Sequence, residues 1–212
     1  MRIKRWFDVL VSLSLLLLLA PLLIVLACMV RWQLGSPILF RQVRPGKDER
    51  CFMLIKFRTL VQACDKKGHL LEDSQRLHPF GQWMRRYSLD ELPELLNVLR
   101  GEMSLVGPRP LLVEYLDGYT AQQRRRHEVR PGITGWAQIN GRNDLSWEEK
   151  FALDRWYIDH WSFCLDLKIL FLTPVYCLHS LGITPRGRVS VQKFIGQTRK
   201  KEALREHYER KH

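Results

Sequence analysis

Residues 9–30 form a run of 22 residues without a charged side chain, and no other feature constrains the fold as strongly. That length matches the roughly 20 apolar residues a helix needs to cross a bilayer core. Pro21, near the middle, removes one helical hydrogen bond and crowds the preceding turn, so a straight helix is not expected. Basic residues flank the run on both sides: Arg2, Lys4 and Arg5 before it, then Arg31, Arg41, Arg44 and Lys47 after it. Positive charge stays on the cytoplasmic side of a membrane, and both flanks satisfy that rule together when the segment turns back on itself. Residues 9–20 would make about 18 Å of helix and residues 22–30 about 13 Å. Each arm then reaches about half of a ~30 Å hydrocarbon core. The expectation is a re-entrant helix-hairpin kinked at Pro21 and turning at Ala20–Pro21, with a kinked span as the alternative. A cleavable signal is disfavoured, because the apolar stretch is too long and no small-residue cleavage site precedes Arg31.

Charge supplies the second constraint. Lys and Arg number 34 against 22 Asp and Glu, a formal net charge of +12. That excess calls for an anionic partner: nucleic acid, an anionic membrane surface or a phosphate-bearing substrate. Half of it, +6, lies in residues 185–212, with nine Lys or Arg and three Glu. This tail is either attracted to anionic lipid or is a solvated helix of mixed charge. No recognised nucleic-acid motif is present, and the apolar N-terminus argues for lipid. The five cysteines form no C-x-x-C pair and are expected to pack mostly as small apolar side chains. The histidines show no metal-binding spacing, which disfavours structural zinc.

Three segments are expected: a membrane segment over residues 1–34, a catalytic unit over 35–184 and the basic tail over 185–212. The unit reads as α+β and helix-rich, small and compact, with short strands. Residues 50–59 read as a strand, apolar through Phe57 with bases at its end, residues 65–74 read as a loop, and residues 76–86 have helical spacing. Ser88-Leu89-Asp90-Glu91 looks like a capping box for a helix ending at Gly101, although Pro93 conflicts with so early a start. Residues 106–110 and 130–136 are expected to be tight turns, and residues 115–128 a polar helix. The apolar run 165–181, preceded by several aromatics, reads either as an amphipathic helix in the membrane interface or as core.

Asp90 and Glu91 carry the strongest chemical signal. Side chains of helical neighbours diverge by about 100°, so the two carboxylates cannot share one proton. They suit a division of labour between nucleophile or base and metal ligand. The plainer reading is that acids in a first helical turn complement the helix dipole. Against it stands the supply of cations at element ends: Lys56, Arg58, Arg85, Arg86 and Arg109. Paired carboxylates, several cations and no metal-binding histidine point to Mg²⁺-dependent phosphate chemistry.

The run from Arg85 through Ser88-Leu89-Asp90-Glu91-Leu92-Pro93 and on through Asn97 to Pro110 resembles the bacterial sugar transferase family, the monotopic phosphoglycosyl transferases. The resemblance extends to residues 4–8, 35–42, 56–59, 130–136 and Asn140-Gly141-Arg142, covering residues 3–195. It implies transfer of a sugar-1-phosphate from a UDP-sugar to polyprenyl (undecaprenyl) phosphate, releasing UMP by a ping-pong route. Asp90 would hold the phosphosugar covalently and Glu91 would ligate Mg²⁺. Lys56, Arg85 and Arg109 would bind phosphate oxygens, and Arg142, Gln138 and Asn140 lie toward the nucleotide. The family's turn is a Ser-Pro pair, replaced here by Ala20-Pro21, with Ser12 or Ser14 as stand-ins for the hydroxyl. The implied place is the cytoplasmic face of the bacterial inner membrane, with the bilayer as a partner, no nucleic acid, and downstream glycosyltransferases consuming the product. In its short form the chain is most similar to members that transfer phospho-N,N′-diacetylbacillosamine. UDP-galactose or UDP-glucose for exopolysaccharide is the alternative, and a non-catalytic membrane-anchored scaffold the reading of another class.

Overall fold

A computed structural model describes residues 2–65, 67–141, 144–178 and Phe194 of the chain. Two helices open it, α1 (Arg2–Leu18) and α2 (Ala20–Leu34), and their axes bend by 64°. The break is at Leu19, one residue before the expected Ala20–Pro21 turn. Leu19 N–H still bonds the Leu15 carbonyl and Leu23 N–H the Leu19 carbonyl, both at 2.8 Å. Pro21 sits in the first turn of α2, where its missing N–H has no helical partner to lose. The Ser12 hydroxyl does not serve the break, being fully buried without a hydrogen-bond partner. Among the described residues no single helix is long and apolar enough to cross a membrane.

Both ends of the bent pair are tied to the same body. At the first end, Lys4 Nζ donates to the Val106 carbonyl at 3.0 Å and pairs with Asp166, while Arg5 donates to the carbonyls of Val98 and Leu99. Asp8, buried, accepts from Ser104 Oγ at 2.8 Å and from Leu105 N–H at 3.2 Å. Two cations that charge patterning assigns to a membrane surface are thus used as internal ties. At the other end Leu26, Val30 and Leu34 recur every four residues and are buried against Phe57, Phe80 and Met84, as one face of a helix requires. Between these ends Leu10, Leu13, Leu17, Leu18, Ile24 and Val25 are exposed.

A hairpin follows, β1 (Leu39–Pro45) and β2 (Cys51–Phe57), antiparallel from Leu39 opposite Phe57 to Pro45 opposite Cys51. Its second strand is the expected one at residues 50–59. After it come α3 (Asp73–Arg76), α4 (Pro79–Arg86) and α5 (Glu94–Arg100). The predicted helix over 76–86 therefore starts late, because His78 precedes a proline and is held extended at φ −72°, ψ 145°. The residues expected as a loop carry a bridge between Cys64 and Leu70 before α3 begins.

Gly101 ends α5 with φ 85°. Next come β3 (Ser104–Val106), α6 (Ala121–Arg124) and β4 (Gly132–Thr134), the two strands pairing in parallel. Residues 130–136 are thus strand as well as turn. A Cβ on Gly132 would lie 2.1 Å from the Gly107 nitrogen, so only glycine lets the two segments meet. The helix expected over 115–128 is broken into a 3₁₀ stretch Val113–Gly118, then α6, then a 3₁₀ turn Arg125–His127. Thr120 restarts the chain with its own capping box on Gln123, and Gly118 just before it weakens continuation. Helices α7 (Trp136–Ile139), α8 (Trp147–Asp159) and α9 (Phe163–Leu178) complete the body.

The core joins β2, α5 and β3 to α8 and α9 through Phe52, Leu54, Val98, Met103, Tyr157 and Ile169. In the run at 165–181, described as far as Leu178, Asp166 and Ile169 are buried as core, whereas Phe171 and Val175 face outward. The cysteines depart from expectation, four of them being exposed. Cys28 and Cys164 lie on helix faces turned from the core, and Cys51 at the tip of the hairpin. Apart from Phe194, the basic tail lies outside the described residues.

Candidate active site

Ser88 does not cap a helix. It adopts the left-handed conformation at φ 56°, ψ 24°, and its side chain makes no cap bond. A non-glycine residue there costs free energy that the surroundings must offset. Its effect is to turn the chain into a 3₁₀ turn, Leu89–Glu91, set off from α5 by Leu92 and Pro93. Pro93 then stands at the N-cap of α5, which removes the conflict noted in the sequence. Asp90 is carried inward and only 8% exposed.

Around it a cleft of about 1640 Å³ is lined by Lys56, Arg85, Asp90, Glu91, Arg109 and Gln138, among others. Five of these are the predicted catalytic and phosphate-binding residues, brought together from β2, α4, the 3₁₀ turn and the loop after β3. Gln138 also reaches the cleft, with both polar atoms of its amide buried and without a hydrogen-bond partner among the described residues. Asn140 is exposed and spends its amide on the Trp136 carbonyl at 2.8 Å. Arg142 lies outside the described residues.

The two neighbouring carboxylates have opposite surroundings. Glu91 Oε1 accepts from Lys56 Nζ at 2.7 Å and Arg109 Nη2 at 2.6 Å, and Oε2 meets Arg109 Nη1 at 3.4 Å. Burial alone would raise its pKa, but Arg109 and Lys56 overturn that and hold it well below the usual carboxylate range. Asp90 makes no hydrogen bond through its carboxylate among the described residues. Burial, then the charge of Glu91, push its pKa up against the pull of Lys56, Arg85 and Arg109. One carboxylate is thus saturated with cations, while the other lines the cleft within electrostatic reach of three.

Three further residues, to which the sequence assigns no individual role, support the site. Glu94 is buried at 2% exposure, with Oε1 2.9 Å from Lys56 Nζ. Asn97, fully buried, accepts from Ile55 N–H at 3.1 Å and donates to the Met53 carbonyl at 2.7 Å. It therefore locks α5 to β2 and fixes Lys56 against Glu91 and Glu94. Thr59 Oγ1 accepts from Arg85 Nε at 2.8 Å, and α4 comes that close because Gly81 has no Cβ to strike the Thr59 carbonyl. Thr59 and Asn97 lie in the runs that carry the family resemblance, and Glu94 is a third acid one turn beyond Glu91.

Burial raises the Glu94 pKa from 4.5 to about 7, with Lys56 opposing and Glu91 adding to it. A carboxyl that binds its proton more tightly when folded stabilises the fold fully below its unfolded pKa, and that contribution is lost as pH rises through the folded value. The expected result is a melting temperature that declines between about pH 4.5 and 7. Glu94→Gln should flatten that slope, as thermal melts at half-unit pH intervals will show.

Among the described residues no three His, Cys, Asp or Glu side chains converge into a metal cage. Mg²⁺ is commonly held by one or two carboxylates with substrate phosphates and water completing its shell. Glu91 fits that mode through Oε2, whose one contact is long.

The chain matches the family described as bacterial sugar transferase over residues 1–180. It is 54% identical over 196 residues to the sugar transferase EpsL of Bacillus subtilis, covering 92% of this chain and 97% of that one. An undecaprenyl-phosphate glucose phosphotransferase of Komagataeibacter xylinus is 45% identical over 190 residues, which span 80% of this chain and 35% of the longer relative. A UDP-galactose-lipid carrier transferase of Erwinia amylovora is 39% identical over 188 residues, 81% of this chain and 39% of that protein.

Proposed function

Given that this chain belongs to the bacterial sugar transferase family, we propose that it transfers hexose-1-phosphate from a UDP-hexose to polyprenyl phosphate, with Asp90 as nucleophile. The observation that carries the assignment is the contrast between the saturated Glu91 and the open, cation-surrounded Asp90. A carboxylate oxygen of Asp90 bonds to the β-phosphorus, and the bond from that phosphorus to the bridging oxygen breaks. UMP leaves with the electron pair. The phosphate oxygen of the lipid then attacks the same phosphorus and frees Asp90, a two-step course typical of covalent catalysis.

Lys56 and Arg109 stand where they can take up charge on the non-bridging oxygens, and Arg85, held by Thr59, faces the same space. Mg²⁺ bound through Glu91 would add charge neutralisation at the diphosphate. Two of the relatives above are named for glucose and galactose, which favours a hexose over N,N′-diacetylbacillosamine.

The bent helix pair supports a place for this chemistry at a membrane surface. Both of its ends dock on one body, so it enters and leaves by the same face. With arms of about 25 Å and 22 Å bent by 64° and tilted equally, the apex lies roughly 12–13 Å deep, less than half of a ~30 Å core. Leu13, Leu17 and Leu18 near the apex are exposed for lipid contact, and Phe171 and Val175 of α9 are exposed as well.

The test is intact-protein mass spectrometry of detergent-solubilised protein given Mg²⁺ and UDP-glucose, UDP-galactose or a UDP-N-acetylhexosamine, without lipid acceptor. A mass gain of one hexose phosphate with matching UMP release is the expected result. No UMP from any donor, with or without polyprenyl phosphate, would refute the assignment.

A further inference from the structure

Arg44 is a cation in the cleft that the phosphate chemistry above does not use. The strand register puts Phe40, Gln42 and Arg44 on the same face of the hairpin as their partners Lys56, Leu54 and Phe52, since directly opposed residues share a face. With Leu54 and Phe52 buried, that face is the inner one, and Arg44 lines the cleft. Its Nη2 donates to Gln42 Oε1 at 2.6 Å, while Nε is buried without a partner. Among the described residues Arg44 forms no ion pair, in contrast to Lys56, Arg109 and Arg126, which do. Burial, and then the repulsion of Arg109, lower its pKa to about 10. A guanidinium in that position is at a cost until an anion arrives.

Position along the strand identifies the anion. Phe40, opposite Lys56, is at the end of β1 adjoining Ile38 and Leu39, which pack with Leu26 and Val30 of α2. Arg44 is four residues further, about 14 Å along the strand. There it feels the charges of Arg109 and Glu94 and lies within reach of Tyr115 and Tyr119. Those tyrosines belong to a cluster with Phe151 that holds no residue of the first two helices. On the transferase assignment the lipid phosphate would approach from the helix pair, which leaves the far end of the cleft to the water-soluble substrate.

We propose that Arg44 binds the α-phosphate of the UDP-sugar and stabilises it as UMP departs. This rests on the transferase assignment and adds to it the residue that receives the leaving group. As the bridging oxygen takes the electron pair from the β-phosphorus, the N–H groups of Arg44 donate to the α-phosphate oxygens on which the charge grows. A guanidinium supplies two parallel donors where an ammonium supplies a point charge.

Inhibition by UMP and by uridine, with titration of each alone, tests this on the full-length protein in detergent. Arg44→Gln should weaken UMP at least tenfold, leave uridine within twofold, and leave the KM for polyprenyl phosphate within twofold. Arg44→Lys should recover part of the UMP affinity. The inference is overturned if UMP binds Arg44→Gln as it binds the parent chain. It is equally overturned if the lipid KM shifts while UMP does not, which would make Arg44 a reader of the lipid phosphate. If Arg44→Gln does not fold, Arg44→Lys decides, since unchanged UMP affinity at a site needing a bidentate donor refutes the role. A parent chain that binds UMP yet releases none from any UDP-sugar would fault the transferase assignment and leave the Arg44 result standing.

Discussion

Asp90→Asn is expected to reduce UMP release by at least about 10³-fold, to abolish the covalent adduct, and to raise the melting temperature. Loss of turnover follows because an amide cannot form an acyl phosphate, and losing a nucleophile costs that much or more. The gain in stability follows from the electrostatics. Burial and Glu91 raise the Asp90 pKa above its usual 3.8. A carboxyl raised in this way contributes stability while protonated and loses it as pH climbs through the folded pKa, so at neutral pH its ionised form is a burden that asparagine does not carry. Function and stability are opposed at this one position. A variant that lost turnover and stability together would instead mean that Asp90 holds the fold.

Glu91→Gln should do the reverse to stability. Its pKa is held low by Arg109 and Lys56, so its contribution is present above the unfolded value of 4.5 and fades as pH falls below it. Replacing it leaves two cations facing a neutral amide. The cost is about 2 kcal/mol, discounted from the buried-pair range because Arg109 is half exposed. That corresponds to a fall of roughly 4–8 °C at neutral pH, with the variant and parent converging in acid. Turnover should fall at least about 100-fold, and the Mg²⁺ titration should shift to higher concentration. An unchanged Mg²⁺ curve with the same loss of stability would confine Glu91 to organising Lys56 and Arg109. Neighbouring acids with opposite stability effects would be direct support for a division of labour between them.

Much of the site was legible because it is local. Asp90-Glu91 next to a proline, and cations beside turns, are visible in a linear string, and all five of the main candidates meet in one cleft. Glu94 and Asn97 were not legible in the same way. A glutamate and an asparagine in an apolar helical pattern read as its polar face, yet both are turned inward to partners on β2, some forty residues earlier. Arg44 was read as one of several flanking charges, because only the register of β1 on β2 shows that it shares a face with Lys56. The capping box at Ser88 failed for a related reason. Its four residues carry the right spacing, but the left-handed Ser88 is imposed by the packing of α4 and α5 on either side.

What the sequence by itself determined is the set of elements governed by short-range rules: an apolar segment interrupted near Pro21, a strand over 50–59, a helix stopped by Gly101, and acids and bases at element ends. Periodicity, ring sterics and composition act within a few residues, so a string of letters carries them. The tertiary structure alone decided that both ends of the bent helices dock on one body, that Lys4 and Arg5 turn inward, and that Glu91 is saturated while Asp90 stays open. Those outcomes depend on which distant charges share a low-dielectric space. At contact distance such pairings outweigh the local preferences that the sequence displays.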